Sequence, residues 1–251
     1  ASDVLNAFMK RLKRSGCEIA LDEPLLDLDR DAGGFRLTTS RQILLAEKVV
    51  ITTGGQSYPG SGTTGDGYRW AVRLGHTLVP PRPALTPILT SAGWVVALKG
   101  ITVEDVEIRL VDSEDERRVV DKRRGSLLLT HFGLSGPVAL DLSRHISGHP
   151  KPQSLILECD FLPSATVAEL DERLRRQASD EGKKQFLSLM PNSIPRRLAE
   201  ALLNNADLPS HRKAAELSST DRAAFVSVIK KTSIPVVGTR GDRALALRVA
   251  G

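Results

Sequence analysis

Residues 48–75 read KVVITTGGQSYPGSGTTGDGYRWAVRLG, and three parts of this stretch decide the fold class. KVVITT is short, continuous and apolar, which predicts a strand buried in a parallel sheet. A glycine-dense loop, GGQSYPGSGTTGDG, follows it, and YRWAVRLG has helical spacing up to Gly75. Strand, glycine loop and helix in that order predict α/β architecture.

Upstream of this stretch, Ser2 or Asp3 can cap a helix whose Val4, Leu5, Phe8 and Leu12 fall at helical spacing before Gly16. CEIALDEPLLDLDR and GFRLTTS are extended segments turned at Asp31, Ala32, Gly33 and Gly34, and Ile43–Ala46 is a further strand. Downstream, Pro80, Pro81, Pro83 and Pro87 mark a boundary. Beyond it VEIRLV alternates Val106, Ile108 and Leu110 with charged partners, DSEDE turns, RRVVDKRR returns and SLLLTHFG runs on, which predicts a small antiparallel barrel or sandwich. From about residue 163 to 232 the spacing is helical. Thr166 and Glu169 form a capping box, Val167, Leu170 and Leu174 share a stripe, and further helices start at Pro195 and after Ser219 and Thr220. The first residue is not Met, and the closing RALALRVAG sets Ala244, Ala246 and Arg248 against Leu245, Leu247 and Val249 with no cap, so both ends read as cut.

Composition narrows the function classes. With 251 residues, 41% hydrophobic and 26% charged, collagen-like and disordered chains are excluded. No apolar run approaches the roughly 20 residues of a membrane span, and the amino terminus lacks the pattern of a signal peptide. A cytoplasmic location and no membrane partner are expected. Cys17 and Cys159, outside any CxxC, read as reduced structural thiols. The formal charge of +5 and pI near 9.4 suit a polyanionic partner, although many basic domains are merely soluble. Aromatic residues at 4% are too few for a sheet of base-stacking rings.

Several motifs are decoys. Gly60, Gly62 and Gly65 spell G-x-G-x-x-G, but Gly54–Pro59 separate them from the strand and LTPILT lacks the acidic residue of a dinucleotide fingerprint. What survives is that glycines let backbone amides approach an anion and that a helix beginning near Asp66 offers a positive dipole end; a merely tight loop explains the glycines equally well. GLSGP falls short of the hydrolase elbow by its last residue, Pro137. His131 reads as a proton donor, a substrate clamp or a structural residue. His145 and His149 have helical metal-ligand spacing, but Gly148 and Pro150 spoil the helix and no third ligand is near, so no metal site is expected.

Taken together, VVITTGGQSYPGSGTTGDGYRWAVRLGHTLVPPRPALTPI, LLLTHFGLSGP and PVVGTRG resemble, in order and spacing, the bacterial NAD(P)/FAD-dependent oxidoreductases that include a bile-acid reductase and a ribosomal RNA dihydrouridine synthase. The resemblance covers the whole chain. It implies an α+β multidomain protein: a partial, glutathione-reductase-like FAD-binding domain over 1–80, a small antiparallel β-barrel over 81–162 plus 233–245, a helical insert over 163–232, and a return strand over 246–251. It implies that Thr53, Gly54 and Gly55 form a strand-end signature against the flavin, with Thr52 where the family usually has Ala. Ser57, Tyr58, Pro59, Thr64, Gly65, Asp66 and Gly67 match two further cofactor signatures, and Thr130–Pro137 matches one facing the redox centre. Thr239, Arg240 and Gly241 match another, in which Arg240 either pairs with an anionic substrate or cofactor group or forms a salt bridge holding the insert to the FAD domain.

Family members carry a strand-turn-helix FAD fingerprint before the position of Ala1 and a second FAD segment after that of Gly251, so this chain is expected to be a central piece that binds FAD weakly or not at all. The implied reaction is C=C reduction by NAD(P)H-derived hydride, with His131 as acid or carbonyl donor and Ser135 second. The expected substrate is ribosomal RNA or a small-molecule enone, with the oligomeric state open. Arg117, Arg118, Lys122, Arg123 and Arg124, and Arg196, Arg197, Arg212 and Lys213, are the basic positions that would meet RNA phosphates, or else form a solvated face. The alternative is an RNA-docking or scaffold module without flavin.

Overall fold

The computed structural model describes residues 2–57, 60, 62–115 and 118–241. Tyr58, Pro59, Arg117 and the expected return strand at 246–251 lie outside the described residues. The chain divides into two compact units, Ala1–Pro80 and Pro81 onward.

In the first unit, the amphipathic segment at the start forms helix α1 (Ser2–Arg14), and Gly16 ends it with φ +75°. Strands β1 (Leu25–Asp31), β2 (Gly34–Thr39) and β3 (Ile43–Ala46) make an antiparallel sheet in the order β1-β2-β3. Gly34 is required at the β1–β2 turn, because a Cβ there would run into the carbonyl oxygen of Ala46. Helix α2 (Asp66–Arg73) packs on β1, where Arg73 pairs with Asp27 and, at 2.9 Å, with Asp29. KVVITT differs from its expectation: it joins no strand ladder among the described residues, and Val50 is 83% exposed. Its apolar, β-branched pattern supplies a strand's propensity, yet a strand also needs hydrogen-bonding neighbours, and none of the described residues provides them.

In the second unit, β4 (Ile88–Leu89), α3 (Gly93–Ala97), β5 (Thr102–Asp112), β6 (Arg118–Thr130), β7 (Gly133–Ser135), α4 (Pro137–Ser147), β8 (Leu155–Asp160), β9 (Thr232–Pro235) and β10 (Gly238–Thr239) follow in chain order, with the helical insert between β8 and β9. The sheet order is β10-β4-β7-β6-β5-β8-β9, antiparallel throughout. The two outermost strands are consecutive lengths of one segment. Val236 donates back to Leu155 O of β8 at 3.2 Å, while Val237 donates across to Leu89 O of β4 at 2.9 Å. The sheet therefore closes on itself as a barrel. The alternation of Val106, Ile108 and Leu110 places all three fully inside. Helix α4 packs on β4, β5, β6, β7 and β10 and buries Val138, Ala139, Leu142 and Ile146.

The insert holds α5 (Val167–Asp180), α6 (Arg196–Asn205) and α7 (Ser219–Lys230), with short 3-10 turns between them. The capping box of Thr166 and Glu169 forms as read, and Ser218 with Asp221 makes a second one on α7. Leu170 and Leu174 are buried, but Val167, in the first turn of α5, is 57% exposed. Phe186 and Phe225 meet edge to face at 5.2 Å in the insert core. Lys230 Nζ ties the insert down, donating to Leu162 O at 2.8 Å and pairing with Asp160 at 2.6 Å. The architecture is thus mixed α+β: a unit of helices and a three-stranded antiparallel sheet, followed by a barrel bearing a helical insert.

Candidate functional site

The residues singled out for function fall into both units, and each group has its own geometry. In the first unit, segment 51–57 lies on the start of α2, and four glycines permit it. A Cβ at Gly67, buried in the first helical turn, would lie 2.5 Å from Thr53 Oγ1. One at Gly55 would lie 2.8 Å from the Tyr68 hydroxyl, one at Gly54 2.7 Å from Thr63 Cγ2, and one at Gly65 2.6 Å from Gln56 Nε2. Gly54 and Gly65 also sit at φ +73° and +84°, where a side chain is strained. These glycines serve the loop's own packing.

The anion expected at the start of α2 is the chain's own. Asp66 occupies the first turn, its carboxylate accepting from Thr64 Oγ1 at 2.6 Å and facing Arg69 at 3.4 Å. No side chain caps the helix at Gly65. A fixed carboxylate beside free amides opposes a phosphate and suits hydroxyl groups, which donate to the carboxylate and accept from the amides. Thr53 and Ser57 are exposed on the same loop. This surface suits hydroxyl groups and not a pyrophosphate.

In the second unit, the strand β6 ends at Thr130 and the chain turns through His131 and Phe132 into β7. Gly133, at φ +147°, is forced by closeness: a Cβ would collide with the carbonyl oxygen of Ile88 in β4. Thr130 Oγ1 donates to Gly133 O at 3.0 Å across the turn, and Thr90 N donates to Phe132 O at 3.4 Å. His131 is exposed, its ring edge-to-face with Phe132 at 4.7 Å and 75°. Arg240 arrives from the far end of the unit, held by its amide on Pro87 O at 2.9 Å, and its guanidinium carbon lies 4.5 Å from the centre of the Phe132 ring. The salt bridge considered for Arg240 is absent among the described residues.

Ser135 lies on the same hairpin, paired with Leu128 in the β6–β7 ladder. GLSGP does connect a strand to a helix, through Gly136 at φ +86° into α4. Ser135 is nevertheless a ladder residue and not the apex of the turn, and among the described residues no imidazole or carboxylate bonds to it, so it is no activated nucleophile. His145 does fall on a helix, because α4 runs to Ser147. It pairs with Asp121 at 3.0 Å, and His149 pairs with Asp112 at 3.2 Å. These are two separate anchors. Burial pushes the Cys159 thiol up, away from any reactive range.

The basic run on the β5–β6 hairpin is largely ion-paired: Lys122 with Glu107 at 2.8 Å and Arg124 with Asp105 at 2.7 Å reach across to β5, while Arg123 pairs with Asp121 on its own strand at 3.0 Å. In the insert Arg196 pairs with Glu200 and Arg212 with Asp221. Sequence reading passed over Phe132, the residue that joins His131 to Arg240. Its signal, a lone aromatic inside THFG, has no meaning until the β10 end is known to come alongside.

No helix among the described residues is long and apolar enough to cross a membrane. Two family descriptions match the chain: the HI0933-like protein Rossmann domain over residues 1–142, and the HI0933-like protein barrel and H2TH domain over residues 82–244. The chain is 26% identical over 251 residues to a ribosomal RNA dihydrouridine synthase of Escherichia coli K12, covering all of this chain and 59% of that protein. It is 24% identical over 242 residues to a 3-dehydro-bile acid delta(4,6)-reductase of Clostridium scindens, covering 96% of this chain and 58% of the relative. A ribosomal RNA dihydrouridine synthase of Haemophilus influenzae is 23% identical over 257 residues, with 100% and 60% covered. The chain thus spans about three fifths of the length of these relatives. A Rossmann-type domain among reductases fits a nucleotide cofactor. Closed barrel, helical insert and glycine loop all agree with these matches, and the chain belongs to the HI0933-like family.

Proposed function

We propose that this chain is the central part of an FAD-dependent oxidoreductase that reduces an activated C=C bond with hydride derived from NAD(P)H. The observation that carries the reading is the hairpin turn on which His131 and Arg240 meet at one ring, in a chain whose relatives bear the names of reductases and dihydrouridine synthases. When bound, FAD supplies the hydride chemistry. Thr53, Asp66 and the amides around Gly65 would hold its hydroxyl-bearing part; Gly54, Gly55 and Gly67 let loop and helix lie close enough to present them, and Ser57 extends the same loop.

The protein's own part is to fix and polarise the acceptor. A conjugated carbonyl oxygen accepts hydrogen bonds from the Arg240 guanidinium, which withdraws charge from the alkene. His131, exposed beside it, delivers a proton to the carbon next to the one receiving hydride, with Ser135 the second donor on the hairpin. Both substrate classes named among the relatives, an RNA uridine and a bile-acid enone, contain such an acceptor. No observation favours a flavin-free RNA-docking module, since the basic positions that suggested it are largely paired.

The test has two arms. Purified chain incubated with FAD and desalted is read by absorbance between roughly 350 and 500 nm, where retained flavin supports the loop as a cofactor surface. In the flavin-loaded full-length enzyme, His131→Ala lowers NAD(P)H-coupled product formation by about tenfold or more, the scale of one lost acid-base group. Unchanged turnover removes His131 from the mechanism.

A further inference from the structure

Among the described residues, the side chain of Arg240 meets an aromatic ring and no carboxylate. Its guanidinium lies over the Phe132 face, with no ion-pair partner among the described residues. A guanidinium held over a ring by its charge spends no N–H donor on a carboxylate partner. An ion pair would have used two of its donors. The ring also meets the imidazole of His131 with its other contact, at 4.7 Å and 75°. Phe132 is itself fixed from behind, by Thr90 N on its carbonyl and by Gly133 pressed against β4.

We propose that Phe132 is a positioning residue: it holds the Arg240 fork and the His131 imidazole, which are far apart in sequence, as one pair of donors for an acceptor oxygen of the substrate. The inference rests on the reductase reading for the identity of that oxygen, and on the ring geometry alone for the assembly of the donors. Phe132 touches no reacting atom. Its effect passes entirely through its two neighbours, and a ring of similar face, Tyr or Trp, preserves it whereas Leu, of comparable bulk, does not.

The first measurement is the Arg240 Nε–H resonance in the isotope-labelled chain, with inorganic phosphate as the acceptor probe. The wild-type signal is expected displaced by the ring current and responsive to phosphate. Phe132→Leu should return it to the position of an unstacked arginine and weaken phosphate binding about threefold to fivefold, the equivalent of one exposed cation–π contact, while Phe132→Trp retains both. Unchanged amide dispersion in Phe132→Leu separates this from unfolding. A wild-type Arg240 signal at the unstacked position, or a Phe132→Leu chain that binds phosphate as well as the parent, overturns the proposal. In the flavin-loaded enzyme Phe132→Leu should raise KM and lower kcat together, with rescue by Phe132→Tyr. A Phe132→Leu enzyme that turns over normally overturns the positioning role and leaves the reductase reading standing; a protein that shows the resonance pattern but reduces no C=C bond does the reverse.

Discussion

The two units reach structure by different means. From Pro81 onward the chain surrounds a continuous core, with Ile88, Ile108, Leu127, Leu134, Leu157 and Phe225 fully enclosed. Among the described residues of the first unit only Leu28 and Trp70 are buried large apolar side chains, and α1 buries none: Val4, Leu5 and Phe8 are 60%, 62% and 67% exposed. Both units have well-patterned sequences. The contrast teaches that an amphipathic pattern specifies which face of an element is to be covered, while stability requires that something cover it. For the barrel and insert, the covering elements follow in the same stretch of chain. For α1, β3 and the KVVITT segment, the described residues do not supply them.

The contrast is open to direct attack. Its largest consequence is in hydrogen exchange: amides of β5, β6 and β8 should exchange slower than those of α1 and β3 by roughly three orders of magnitude or more, as global opening differs from local opening. Equal protection would mean that the first unit is stabilised as well as the second. Next, Ile108→Ala should destabilise the second unit by about 2–5 kcal/mol, the range for a buried large-to-small change. Phe8→Ala should stay within about 0.5 kcal/mol, as for an exposed site. Denaturant unfolding of both variants checks this, and a comparable loss at Phe8 would show that α1 is covered in solution.

A smaller effect is expected from pH. The Asp112 carboxyl is held below its ordinary value, chiefly by the Ser154 hydroxyl at 2.8 Å and then by the Glu114 amide and His149, with burial opposing them. A carboxyl depressed in the folded state contributes stability above its unfolded pKa of about 3.9, and that contribution is lost as pH falls through the folded value. Asp112→Asn should therefore lower Tm at neutral pH, with the difference from the parent closing in acid; a constant difference would assign the loss to packing. Smallest of all is Arg124→Ala, expected to leave Tm nearly unchanged although its pair with Asp105 is bidentate, because both partners are half exposed and screened by water. A larger loss in thermal unfolding would show that the hairpin's ion pairs act as a network.

How much was legible follows the range of each interaction. Local signals survived intact: the Thr166–Glu169 box, the stop at Gly16, and the inward alternation of Val106, Ile108 and Leu110. Helix α4 carried readable signs, with Pro137 in its first turn, an apolar stripe of Val138, Leu142 and Ile146, and Gly148 at its end. They were hidden because GLSGP drew attention to a serine motif and His145 to metal spacing. KVVITT shows the opposite error, a strong propensity without partners. The candidate site was legible residue by residue in His131 and Arg240. Their common contact was not, since it depends on β10 pairing with β4 and bringing position 240 beside the β6–β7 turn.

The closure of the barrel by one segment has a consequence for association. A row of unpaired backbone N–H and C=O groups on an outer strand is a template for another chain. By lending β9 to one end of the sheet and β10 to the other, residues 232–239 leave the second unit without such a row at its seam. The three-stranded sheet has no equivalent device: β1 and β3 each pair on one side only among the described residues. Among the described residues, the open templates for strand-to-strand recruitment are in the first unit.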